Sequence, residues 1–169
     1  MLKLKIVGQK PAHCGPACLQ SILDYFGSKA SQQKLAKEAG TTVKSGTSNS
    51  GMVRAMEKRG FGVFVKENTT TFDDVRRYVV DRKTPVIVDW FSSYEHPANG
   101  HYCVVVGINK THISLLDPGI KKIRKIALKE FVQLWFDFDG DIALDKLPMK
   151  TYFRWMMAAT PGKKGSKES

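Results

Sequence analysis

Apolar positions recur at helical spacing in the first half of the chain and in short alternating or continuous runs in the second. Leu19, Ile22, Leu23 and Phe26 share one face of a helix predicted over 15–26, with Pro16 suited to an early helical position and Gly27 to the stop. Ser31 caps a second helix, over 31–39, that ends at Gly40, and a third spans 49–59. Thr71 with Asp74 three residues on is close to a capping box and opens a helix over 72–82. Strands are predicted over 61–66, 85–91, 101–108 and 112–117, with an aromatic-rich closing strand near 152–158. A short helix fits 129–136, and Met1 to Val7 reads as a short strand. Helices cluster early and strands late, which is an α+β order rather than alternating βαβ units.

Against that framework Cys14 stands out, because it sits at the start of the first helix. A free thiol is only a few per cent thiolate at neutral pH, and the unsatisfied N–H groups of a first helical turn favour an anion among them. Gly15 is expected to let the backbone turn tightly before the helix. Downstream, His101 opens a run of valines and Asp117 ends the next strand. Cysteine, histidine and aspartate in those places are the parts of a thiol acyl-transfer site. Each has a plainer use: a core cysteine, a satisfied core histidine, a turn-initiating Asp117-Pro118-Gly119.

Hairpin geometry sets a condition on the pair. With Asn109-Lys110-Thr111 as a three-residue loop, Ile108 faces His112 and Asp117 is the diagonal neighbour of His101 on one sheet face. A two-residue loop reverses the parity, so the pairing requires an odd loop or a compensating bulge. Asp117 is expected to hold Nδ1 of His101, leaving Nε2 for the thiol. Gln9, shortly before Cys14, could add a side-chain amide to the Cys14 backbone N–H as donors to an oxyanion.

The string Gln9…Cys14-Gly15-Pro16-Ala17-Cys18-Leu19, then Gly100-His101-Tyr102-Cys103-Val104-Val105-Val106-Gly107, then Asp117-Pro118, resembles the bacteriocin-processing cysteine peptidases. The resemblance covers about residues 6–160. It implies a papain-like fold, N-terminal helices packed on a C-terminal antiparallel sheet, and cleavage of leader peptides after a double glycine. By it, Cys14 is the nucleophile, His101 the general base and acid, Asp117 the orienter and Gln9 the oxyanion donor. Four residues separate Gln9 from Cys14, one fewer than papain-like domains commonly carry, and His13 stands where relatives often have an acidic or small polar residue. Members fused to a membrane exporter are best known; here a stand-alone peptidase is expected, and association with a separately encoded exporter is left open.

Composition fits one domain over 1–160 followed by a polar, disordered tail over 161–169. A chain of 169 residues with 42% hydrophobic content can bury a sizeable core without disulfides. Its three cysteines, without a secretory leader, suit free thiols in the cytoplasm. The net charge of +11 raises nucleic-acid binding through Lys121-Lys122-Ile123-Arg124-Lys125, but no nucleic-acid motif accompanies that run. A lysine-rich edge strand, or attraction of acidic peptides, explains it as well. Cys14, Cys18, His101 and Cys103 match no common zinc spacing, and Asp137-Phe138-Asp139-Gly140-Asp141 lacks the glycine and glutamate of a calcium loop. No metal or cofactor is expected. A peptide or protein is the expected substrate. Hydrolysis leads, with another acyl transfer (amidase or transpeptidase) and a non-catalytic peptide-binding module as alternatives.

Overall fold

The computed structural model describes residues 1–94, 99–138 and 150–162. Helix α1 (Cys14–Tyr25) buries Leu19, Ile22 and Leu23 completely and stops at Gly27, whose φ is +76°. Helix α2 (Gln32–Ala39) is capped by the Ser31 side chain, which accepts from the Lys34 N–H, and ends at a left-handed Gly40. Helix α3 (Asn49–Glu57) is capped in the same way by Ser48. Helix α4 (Phe72–Arg76) opens with the full Thr71–Asp74 capping box and continues as a wider turn over Arg77–Asp81, where the Arg82 N–H reaches back to the Arg77 carbonyl. The regular helix expected to 82 is thus shorter.

The main sheet comprises β1 (Phe61–Lys66), β2 (Val86–Ser92), β3 (Asn99–Ile108), β4 (His112–Asp117), β5 (Lys122–Ala127) and β8 (Met156–Pro161). Their order is β1-β8-β2-β3-β4-β5, antiparallel at every pairing. Helix α5 (Leu128–Leu134) leads into a two-stranded ribbon of β6 (Phe136–Phe138) and β7 (Thr151–Phe153), and Phe91 stacks on Phe136 at 5.3 Å. The basic run, apart from Lys121 in the turn before it, lies in the edge strand β5. The closing strand expected near 152–158 is two strands, broken where Arg154 takes φ +51°.

Period-2 alternation divides the core between the sheet's faces. Ile87, Val104 and Met157 join Leu19, Ile22 and Met52 beneath the first three helices. Val88, Trp90, Val105 and Met156 pack on the other face with Phe131 and Trp135 of the α5 region. Residues 1–7 form no strand. They add a ladder-like bond, from the Leu2 N–H to the Val106 carbonyl at 2.7 Å. Pro161 belongs to β8 and Gly162 donates to the Gly60 carbonyl. Residues 163–169 lie outside the described residues, as do Asp139 to Asp141. Among the described residues no helix is long and apolar enough to cross a membrane.

Candidate active site

Cys14 is the first residue of α1, and it is the one cysteine of the three that is not buried. His13 before it supplies no side-chain cap. Gly15 has no left-handed backbone, contrary to the expectation of a tight turn there; the left-handed residue is Ala12, at φ 59°. Gly15 serves close packing instead: a Cβ there would lie 2.8 Å from Met52 Sδ and 3.0 Å from Thr47 Oγ1. The start of α1 is therefore seated directly on α3 and the loop before it. Cys18, one turn on, is buried and donates to the Tyr102 carbonyl at 3.3 Å. Burial pushes the thiols of Cys18 and Cys103 above their ordinary range, so both are protonated at neutral pH.

His101 and Asp117 come together by a route different from the expected loop. Asn109 Oδ1 accepts from the backbone N–H of Thr111 and of His112, closing the hairpin in even register, with Ile108 opposite Ile113. That parity would place Asp117 on the wrong face. The register then shifts between Val105 and Gly107, leaving Val106 as an extra residue, and beyond it Val104 faces Leu116. The bulge restores the diagonal relation, and His101 Nε2 lies 2.9 Å from Asp117 Oδ1. The nitrogen differs from expectation. Asp117 takes Nε2, which leaves Nδ1 as the ring atom free to face the thiol, and Cys14 and Cys103 both lie near enough to the ring to influence its protonation. The indole of Trp90 closes edge-on over His101, with centroids 6.4 Å apart.

Asp117 is held from both neighbouring strands. Its Oδ2 accepts from Arg124 Nε of β5 at 2.9 Å, and the Gly119 N–H donates to Oδ1 at 2.9 Å. Complete burial would raise its pKa, yet His101, Arg124 and Gly119 bring it down to about 2. Burial likewise opposes the charged form of His101, but Cys103, Asp117 and Cys14 outweigh it and raise the pKa well above the usual range. Since Cys103 is a neutral thiol, the lasting support for the imidazolium is the Asp117 carboxylate.

Gln9 donates its backbone N–H to the Pro118 carbonyl at 3.0 Å, which ties it to the residue after Asp117, and its Oε1 is buried without a partner. Three polar residues around the site escaped sequence reasoning. Arg124 was read only as part of a basic run. Gln32, whose side chain bonds to residues on both sides of Gln9, carried no signal. Asp89 stands in the apolar run Val86-Ile87-Val88-Asp89-Trp90, and that incongruity could have flagged it. It is 3% exposed with Oδ1 unpartnered; burial, then Asp137 and Cys14, push its pKa well up against a hydrogen bond from Asn49. Asp137 of β6 lies over Gly100, where any side chain would collide with its carboxylate.

His101, Cys103 and Asp117 are the one group of potential metal ligands among the described residues, with donor atoms within 4.8 Å of one another. They make a poor cation site. Both Asp117 oxygens are engaged, the Trp90 indole donates to Cys103 Sγ at 3.4 Å, and the Arg124 guanidinium adjoins the carboxylate.

The structure thus holds a helix-start thiol, a buried imidazole and a carboxylate, and comparison with known proteins supplies the family. The model of the peptidase C39 family matches residues 3–138. The chain belongs to that family and is a cysteine-type peptidase. It is 31% identical over 135 residues to the lactococcin-G-processing and transport ATP-binding protein LagD of Lactococcus lactis subsp. lactis, covering 79% of this chain and 18% of that protein. The chain thus spans less than a fifth of that relative's length. The crystal structure of the peptidase domain of Streptococcus ComA, a bi-functional ABC transporter of a quorum-sensing pathway, superposes with a TM-score of 0.66 at 23% identity, covering 95% of this chain and 99% of that domain. A double glycine motif protease from an AMS/PCAT transporter, solved with its leader peptide, gives 0.63 at 16% identity over 94% and 92%. These two likenesses show the fold.

Proposed function

We propose that this chain hydrolyses a peptide bond through an acyl-enzyme on Cys14, and that its substrate is a leader peptide cut after a double glycine. The observation that carries it is an imidazole bonded at Nε2 to a buried carboxylate and near enough to the half-buried Cys14 thiol for that thiol to favour its protonation. Asp117 favours the imidazolium, so the Cys14 proton passes to His101 Nδ1 and the thiolate attacks the scissile carbonyl. Negative charge develops on the carbonyl oxygen, beside the Cys14 N–H and the Gln9 amide. As the intermediate collapses, Nδ1–H protonates the leaving amine and the leader remains as a thioester. His101, now neutral, takes a proton from water, which cleaves the thioester and returns the thiol.

The double-glycine substrate and a link to peptide export are supported by the relatives, whose names join processing to transport. The test is incubation with a synthetic peptide bearing a Gly-Gly junction in water enriched in heavy oxygen. Hydrolysis yields a leader fragment ending in the second glycine with heavy oxygen in its carboxylate. An intact peptide, or a cut elsewhere, would overturn the substrate assignment.

A further inference from the structure

One buried side chain holds the segment that carries Gln9 from both sides, and the reaction scheme above does not use it. Gln32, at the first position of α2, is 6% exposed. Its Oε1 accepts the Lys10 N–H at 2.8 Å, and its Nε2 donates to the Gly8 carbonyl at 3.0 Å. These bonds bracket Gln9, whose own N–H is bound on the Asp117 side by the Pro118 carbonyl. Three consecutive backbone positions are thus fixed, by α2 and by the turn after Asp117.

Beyond Lys10 the chain reverses at once. The Lys10 carbonyl accepts the His13 N–H at 2.9 Å, with Pro11 and a left-handed Ala12 between them. A left-handed alanine is unfavourable, and such a conformation persists where surrounding contacts hold it. Gln32 supplies such contacts at the entrance to the turn, and Cys14 follows directly after its exit. The backbone on both sides of Gln9, and the entrance to the turn that leads to Cys14, are therefore held by this clamp.

We propose that Gln32 is a positioning residue for the oxyanion site, a two-bond clamp that aims the Gln9 amide at the substrate carbonyl above Cys14; this rests on the assignment of Gln9 as the second donor. Glutamine suits the task because one side chain offers an acceptor and a donor at once, to the residues before and after Gln9. Leucine has similar volume and offers neither.

The test compares wild type with Gln9→Ala, Gln32→Leu and the double variant on a Gly-Gly junction peptide, and measures iodoacetamide alkylation of Cys14 in each. Alkylation develops no oxyanion, so it reports the thiol and the fold. Gln32→Leu is expected to alkylate at a near-normal rate, to keep KM within about threefold and to lose ~10²-fold in kcat, the scale of a misplaced catalytic group. The double variant should be no worse than Gln9→Ala, because the clamp acts only through that amide. If Gln32→Leu does not fold, Gln32→Glu keeps the acceptor and the shape but faces the Gly8 carbonyl with a carboxylate. Its deficit should shrink relative to wild type as pH falls and the carboxyl becomes able to donate. Normal cleavage by Gln9→Ala would remove the donor assignment itself and the proposal with it. A collapse in Gln9→Ala beside normal kcat in the Gln32 variant, or losses that multiply in the double variant, would overturn the clamp while leaving Gln9 in place.

Discussion

His101 Nε2 and Asp117 Oδ1 lie 2.9 Å apart across a hairpin whose turn, taken alone, would have put them on opposite faces of the sheet. The extra residue Val106 reverses the parity, and its carbonyl accepts the Leu2 N–H, so the N-terminal residues cover the bulge. A distortion about five residues from the imidazole thus brings acid and base together. Arg124 completes the arrangement from the opposite strand, and its guanidinium also sits 4.4 Å from the centre of the Tyr94 ring.

Asp117→Asn should keep the ring in place and remove the charge that favours its protonation. We expect kcat to fall by about 10²-fold or more, with KM changed by less than about threefold. The folded pKa of His101 is raised, so the imidazolium now persists to higher pH. Without the carboxylate the alkaline limb of the kcat/KM profile should move to lower pH. A limb that stays fixed would show that Asp117 does not govern His101.

Arg124→Gln should make the protein more sensitive to acid. Asp117 is held at about 2, and the stability this brings is fully present above the unfolded value near ~4 and lost as pH falls toward 2. That contribution is about 2 kcal/mol at neutral pH for the whole set of Asp117 partners. Removing one of them raises the folded pKa and shifts the acid-unfolding midpoint upward, as followed by circular dichroism. An unchanged midpoint would mean that His101 and Gly119 suffice.

Asp89 has the opposite linkage. Its folded pKa is raised by burial and by Asp137 and Cys14, so the native state holds a proton that the unfolded chain has released. Stability then falls as pH rises above ~4, by about 1.4 kcal/mol per pH unit until the folded pKa is reached. Asp89→Asn, which mimics the protonated carboxyl, should flatten the fall of Tm as pH rises above ~4. Parallel curves for the two proteins would contradict it.

Helices were legible because their signals are local: the Leu19–Ile22–Leu23 stripe, the Ser31 cap and the Thr71–Asp74 box each lie within a few residues. The order of the strands was not. Strand β8 pairs with both β1 and β2 although more than 60 residues separate its start from the end of β2, and no local pattern encodes that. Cys14, His101 and Asp117 stand out by residue type and position, but the bulge at Val106 has no signature within a run of valines. The choice of ring nitrogen is set by rotation of the His101 side chain, which no sequence pattern encodes. Gln32 and Arg124 escaped for a related reason. A polar residue on a helix start or an edge strand reads as solvated until the tertiary fold supplies its partner.

The most direct test is intact-protein mass spectrometry of a reaction with a Gly-Gly leader peptide, quenched in acid within the first turnover and followed by peptide mapping. The account predicts a protein heavier by the leader minus one water, the thioester mapped to Cys14 alone, and no such species or cleavage in Cys14→Ala. Acylation of Cys18 or Cys103, or normal cleavage by Cys14→Ala, would contradict it.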